Sequence, residues 1–163
     1  VGGHLSPSAG PCDRRVVDQR SDVAVFSSVP LQTSLQLCGR PLLKLKVSAD
    51  QPAFDLCAAL SRIPANREEA QQLSTGVLRV RRSLDSEYGQ ITLELQPLFV
   101  SFQPGDRLRL SLAGASWPAI GVNPGDGEQR FGPPNSDCRV ITLCLQLDGA
   151  TLQMAPLLVP QAG

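Results

Sequence analysis

The residues able to do chemistry are few, and the decisive one is scarce: the chain holds one histidine, His4, in a Gly-rich stretch near its start. A Ser-His-Asp triad needs a histidine to take the serine proton. No Gly-x-Ser-x-Gly elbow is present to lift a serine from a strand-to-helix turn; the nearest string, Gly114-Ala115-Ser116-Trp117, lacks the second glycine and a helix to follow. His4 therefore reads as a surface residue, with contact to a substrate or a neighbouring domain as the alternative. Two carboxylates at the right separation can also work as acid and nucleophile. The candidates are Asp50, Asp55, Asp106 and Asp126, and all but Asp55 fall in turn sequences, where Asp is favoured for its local backbone hydrogen bonds.

Binding chemistry is equally sparse. Asn123 with Gly125-Asp126-Gly127-Glu128 is rich in oxygen ligands, yet its spacing does not match a twelve-residue EF-hand loop, and no metal is expected. The five cysteines, Cys12, Cys38, Cys57, Cys138 and Cys144, contain no Cys-x-x-Cys pair and have no nearby histidine. Most read as small core or strand residues of a reducing compartment. No glycine-rich phosphate loop follows a strand, and no cofactor is expected. Aromatic residues make up only 4% of the chain, which weakens a sugar-stacking face. Phe26, Phe54, Phe99 and Phe102 are read as core. Trp117-Pro118 opens a long loop and is the best contact candidate, its alternative being a plug for the end of the fold.

Bulk properties narrow the classes further. A chain of 163 residues suits one domain. With 42% hydrophobic and 18% charged residues it can build a core without disulfides or metal. Fifteen basic and fifteen acidic residues give a net charge of zero, and the only basic group, Arg79, Arg81 and Arg82, is followed by Asp85 and Glu87, so no nucleic-acid footprint is visible. No apolar run approaches the roughly 20 residues that span a bilayer, so no membrane partner is expected. A cytoplasmic location is the expectation. Val1 to Ser8 lack signal-peptide features, and the chain reads as a piece of a longer protein.

The elements that would position these residues are strands, because apolar residues recur at period two. Leu43, Leu45 and Val47 alternate with Lys44, Lys46 and Ser48, so both lysines should face water. Similar patterns run through Val23 to Ser28, Val77 to Arg81, Ile91 to Gln96, Arg107 to Leu112 and Val140 to Leu147. Phe54 to Leu60 is a continuous apolar run, and Leu157 to Val159 is read as a last short strand. Turn sequences rich in Gly, Pro, Asn and Asp separate them, which predicts an all-β sandwich of eight or nine strands with at most one short helix. That helix is placed in Ala65 to Leu73, with a charged loop as the alternative. Residues 1–21 are expected to form an arm or linker from a preceding domain, and residues 22–163 the sandwich.

Several ordered motifs resemble one family, the C-terminal domain of X-Pro dipeptidyl-peptidases, cocaine esterase (CocE/NonD), glutaryl acylase and α-amino-acid ester hydrolases. Asp18-Gln19-Arg20, Asp22-Val23 and Phe26-Ser27-Ser28-Val29-Pro30-Leu31 are similar to its opening Asp-Gln-Arg and Tyr-Thr-Ser-x-Pro-Leu. Gly39, Leu45-Lys46-Val47-Ser48 and Asp55 to Leu60 resemble the next strand and its Asp-Thr-Asp-Phe series. Thr75-Gly76-Val77-Leu78-Arg79-Val80-Arg81 and Phe102-Gln103-Pro104-Gly105-Asp106-Arg107-Leu108-Arg109-Leu110 follow in order, then Ala115-Ser116-Trp117-Pro118 and Asn123-Pro124. The match departs near Ala53, at Gly121, and in Pro64 to Gln72, which is longer than usual.

The resemblance implies a jelly-roll, galactose-binding-domain-like accessory domain packed on the α/β-hydrolase domain of the same polypeptide. It places the catalytic Ser, Asp and His outside this chain and implies a serine hydrolase acting on a peptide, amide or ester. It also carries His4, Leu5, Ser6 and Pro7, after the Gly-Gly of the arm, to the substrate entrance, where Trp117 is the other candidate. A homodimer through an exposed apolar face is a further partner expectation. The alternative reading is a free-standing carbohydrate- or ligand-binding sandwich module.

Overall fold

The computed structural model describes residues 12–81, 88–128 and 132–156. Nine strands and one helical turn follow in the order α1 (Arg15–Asp18), β1 (Val23–Ser27), β2 (Leu35–Gly39), β3 (Leu42–Ala49), β4 (Phe54–Ile63), β5 (Gln71–Val80), β6 (Gly89–Glu94), β7 (Leu98–Phe102), β8 (Arg107–Ala113) and β9 (Leu143–Gln153). All strand pairing is antiparallel, in sheets of order β1-β8-β4-β5 and β6-β3-β9 with a two-stranded β2-β7. The expected all-β jelly-roll sandwich is the architecture found.

The period-two pattern explains which face each strand buries. From β3, Leu43, Leu45 and Val47 enter the core while Lys46 is exposed and Lys44 half-buried. They meet Phe54, Leu56, Ala58 and Leu60 of β4, Ile91 and Leu93 of β6, and Leu112 of β8. Ala24 and Phe26 of β1, Leu78 and Val80 of β5, and Leu108 and Leu110 of β8 close the cluster. A fully buried leucine or phenylalanine contributes roughly 1.5–3 kcal/mol, so this layer is what holds the two sheets together.

β4 is buried on both faces, which is why its sequence runs apolar without alternating. Its outward residues, Asp55, Cys57, Ala59 and Ser61, are buried as well. Gly76 of β5 lies close against the neighbouring backbone: a Cβ there would lie 2.7 Å from the Glu94 carbonyl oxygen.

One alternative is decided and two expectations need correction. Of the helix and the charged loop offered for Ala65 to Leu73, the structure has the loop, and β5 starts from it at Gln71. Its backbone is bonded elsewhere: the Ala70 carbonyl accepts from Arg14 N–H at 2.9 Å, and Ala70 N–H donates to Asp13 Oδ1 at 3.0 Å. Contacts with the arm thus override helical propensity. Phe99 is exposed rather than core, because the β2-β7 register sets it opposite the exposed Cys38 and sends Val100 and Phe102 inward. Finally, the last long strand is Leu143–Gln153 rather than Val140 to Leu147, with Val140 exposed. It pairs with β3 across an irregularity between Lys44 and Lys46, where Gly149 adopts φ +75°. Leu157 to Val159 lies outside the described residues.

Candidate functional site

Two groups of residues gather on the outer side of the β1-β8-β4-β5 sheet. The first fixes the loop that follows β8. Arg79 Nε and Nη2 donate to the two Asp55 carboxylate oxygens at 2.8 and 2.6 Å, and Nη2 also donates to the Gly121 carbonyl at 2.6 Å. Asn123 Nδ2 donates to Asp55 Oδ1 at 2.9 Å, while Asn123 Oδ1 accepts from Gly125 N–H at 3.0 Å. Strands β4 and β5 align Asp55 with Arg79 directly, so register builds the fork-to-fork pair. Asp55 is only 2% exposed, and its hydrogen bonds raise the pKa of Arg79 above the ordinary guanidinium value. The pair is structural: it ties the turn of residues 121–125 to the sheet.

That turn anchors the loop carrying Trp117. Ile120 N–H donates to the Ser116 carbonyl at 2.9 Å, the Trp117-Pro118 bond is cis, and Trp117 is 48% exposed. An indole half in water offers a flat apolar face to a neighbour or ligand. His4, Leu5, Ser6 and Pro7, the other entrance candidates, lie outside the described residues.

The second group is the arm. Gln72 N–H donates to the Cys12 carbonyl, and Asp13 bridges to Gln71, at the free side of β5. Arg14 reaches Gln72 Oε1 at 2.8 Å and Asp18 Oδ1 at 3.3 Å, and Arg109 Nη1 of β8 comes within 3.6 Å of Asp18 Oδ2. The chain thus crosses the sheet from β5 to β1 as a strap. Asp18 Oδ2 and the hydroxyls of Ser61 and Ser111 are buried without a hydrogen-bond partner. Asp18 belongs to the Asp-Gln-Arg motif, but nothing in the linear pattern showed that Arg14, Arg109 and Asp18 meet; their separation along the chain hides it.

The remaining candidates have backbone-bonding roles. Asp106 accepts from Gln103 N–H at 2.9 Å and Ala65 N–H at 3.1 Å; Asp50 accepts from Thr142 N–H at 2.8 Å; Asp126 accepts from Glu128 N–H at 2.9 Å. The bonds of Asp126 and of Asp106 to Gln103 close turns, as their sequence contexts predicted, whereas Asp50 with Thr142 and Asp106 with Ala65 tie together segments far apart in the chain. All five cysteines are free, Cys57 buried and Cys38 and Cys144 exposed on strands. Burial, reinforced by the Asp55 charge, pushes the Cys57 thiol up to about 12, which keeps it protonated and unreactive. Among the described residues there is no histidine, and no group of three or more His, Cys, Asp or Glu that could hold a metal. No helix among them is long and apolar enough to cross a membrane.

With this geometry in hand, comparison with known proteins is specific. The profile of the X-Pro dipeptidyl-peptidase C-terminal non-catalytic domain matches residues 7–151. An aminopeptidase from the marine sediment archaeon Thaumarchaeota archaeon superposes with a TM-score of 0.78 at 20% identity, over 90% of this chain and 28% of that one. An α-amino acid ester hydrolase gives 0.81 at 21% identity, over 90% and 27%. A CocE/NonD family hydrolase of Staphylococcus aureus gives 0.61 at 19% identity, over 82% and 30%. At such identities the likeness establishes the fold, and the chain spans under a third of each of these proteins. No curated protein sequence matches the chain. The profile covers most of the chain, and the chain belongs to the X-Pro dipeptidyl-peptidase C-terminal non-catalytic domain family.

Proposed function

We propose that the chain works as the accessory domain of a larger serine hydrolase, packing on an α/β-hydrolase domain of the same polypeptide and shaping the way in for substrate. The observation that carries this reading is the match of residues 7–151 to a non-catalytic C-terminal domain, together with its small share of each structurally similar hydrolase. Residues 1–21 then act as the linker, and His4, Leu5, Ser6 and Pro7 with Trp117 line the entrance. The parent cleaves a peptide, amide or ester through an acyl-enzyme. Five unpaired cysteines favour a cytoplasmic location.

The test is Trp117→Ala in the longer protein, with aminoacyl-proline anilides and aryl esters as substrates. A rise in KM of about fivefold with kcat held is expected, the scale of one aromatic contact worth about 1 kcal/mol. Unchanged kinetics would remove Trp117 from the entrance. The half-exposed Trp117 also favours a second reading, a free-standing carbohydrate-binding module. Saturable stabilisation of the chain by a simple sugar, abolished by Trp117→Ala, would establish that instead.

A further inference from the structure

Among the described residues, the buried oxygens of Asp18, Ser61 and Ser111 lack a partner, and the strand register sets them near one another. Gln72 of β5, Ser61 of β4, Arg109 of β8 and Ser27 of β1 stand in one cross-strand row. Their neighbours Leu60, Leu108 and Leu110 pack in the core, so Ser61, Arg109 and Ser111 point to the outer side of the sheet. Ser61 faces Arg109 directly, and Ser111, two residues beyond Arg109 on β8, is its diagonal neighbour. The strap holds both flanks of Ser61. Arg14 Nη1 donates to Gln72 Oε1 at 2.8 Å on one side, and Asp18 Oδ2 lies 3.6 Å from Arg109 Nη1 on the other.

Ser61 is 0% and Ser111 2% exposed, and the Asp18 side chain is 3% exposed. Asp18 Oδ1 accepts from Arg14 Nε, while Oδ2 and the two hydroxyls have no such bond. Polar atoms buried this deeply are costly when unpaired, and proteins satisfy them with their own groups or with ordered water. At 3.6 Å the Arg109 and Asp18 atoms are too far apart for a direct hydrogen bond, which leaves both able to bond a third group. Charge decides what that group is. A cation would meet the Arg14 and Arg109 guanidinium groups, and an anion would meet the Asp18 carboxylate. A neutral molecule that both donates and accepts is left, and the smallest is water.

We propose that Asp18, Ser61, Ser111 and Arg109 bind one water molecule enclosed between the strap and the sheet. It donates to Asp18 Oδ2 and to one serine oxygen, and it accepts from the other serine hydroxyl and from Arg109 Nη1. All four of its bonds are then used, and each of the three orphaned oxygens gains a partner. The water joins the strap to β4 and β8 at Ser61 and Ser111, so the strap leaves the sheet only when the water is released.

A crystal structure of the chain grown with rubidium chloride, at a resolution that shows ordered solvent, tests the site and its occupant together. One solvent peak within about 3.2 Å of Asp18 Oδ2 and both serine hydroxyls, with no rubidium anomalous signal, is expected. A rubidium peak there would overturn the neutral occupant. Direct bonds among the three side chains, with no solvent between them, would overturn the site. In solution, oxygen-17 relaxation dispersion of water counts long-lived internal molecules, and Ser61→Ala/Ser111→Ala should lose one of them while keeping the circular-dichroism spectrum of the parent chain. Trypsin should cut that variant after Arg14 and Arg15 about fivefold faster, because the strap opens more often. An unchanged dispersion in the folded variant would count against the water, and an unchanged cleavage rate against its hold on the strap.

Discussion

Replacing Arg79 with Met removes the guanidinium but keeps much of the aliphatic stem. It leaves the Asp55 carboxylate, 2% exposed, with the single Asn123 donor at 2.9 Å. Breaking a buried ion pair from one side costs about 3–5 kcal/mol, because an uncompensated charge stays behind. The Arg79 side chain is 21% exposed, so water reaches the gap and lowers the expected loss to about 2–3 kcal/mol. For a chain of this size each kcal/mol is worth roughly 2–4 °C, so Tm should fall by about 5–10 °C in a circular-dichroism melt at neutral pH. The same substitution frees the Gly121 carbonyl, and with it the loop of Trp117, the only tryptophan in the chain. Its emission should shift to the red before global unfolding. The double variant Asp55→Leu/Arg79→Met should regain stability over Arg79→Met, since neither charge is then stranded. A melt within 2 °C of the parent chain with unchanged emission would refute the reasoning.

Cys57 should resist alkylation at pH 8 in the native protein while Cys38 and Cys144 react, as read by intact-mass spectrometry with and without denaturant. Its raised pKa also has a sign: the unfolded thiol ionises first, so the contribution to stability is full below the ordinary value of 9.0 and is lost as pH rises toward about 12. Gly76→Ala should cost roughly 1–3 kcal/mol in a urea melt, because the new methyl meets the Glu94 carbonyl and the Leu95 Cα, neither of which can swing away. Asp13→Ala should release the strap, seen as new proteolytic cleavage near Arg14 and Arg15. Burial raises the Asp13 pKa, but hydrogen bonds from the Arg15 and Ala70 amides and the Arg15 side chain outweigh it and hold the group below the usual carboxylate range. Its contribution is therefore present above the ordinary Asp value of 3.8 and is lost as pH falls below it.

The strands that face the core across one interface were legible, because Leu43, Leu45 and Val47 can alternate with lysines only if one side is wet. β2 and β7 were not, and they pair with each other. Leu35 to Gly39 runs into a Gly-Arg-Pro turn that masks its alternation, and Leu98 to Phe102 carries apolar residues on both faces, so the exposed Phe99 passes for core. The four residues of α1 are too few to show any helical period. Within the candidate site, turn chemistry at Asp126 and between Asp106 and Gln103 could be read locally, whereas the bonds of Asp50 to Thr142 and of Asp106 to Ala65 could not. The Asp55–Arg79–Asn123 network and the strap of Arg14, Asp18 and Arg109 could not, because each joins residues far apart in the chain. Ordered motifs placed several of these residues in one family pattern without saying which of them touch.

Assaying this chain beside the longer reading frame that contains it, with aminoacyl-proline anilides and aryl esters, tests the central claim most directly. The account predicts hydrolysis by the longer protein and none by this chain. Hydrolysis by this chain alone, abolished by His4→Ala, or a longer protein inactive on every peptide, amide and ester offered, would contradict it.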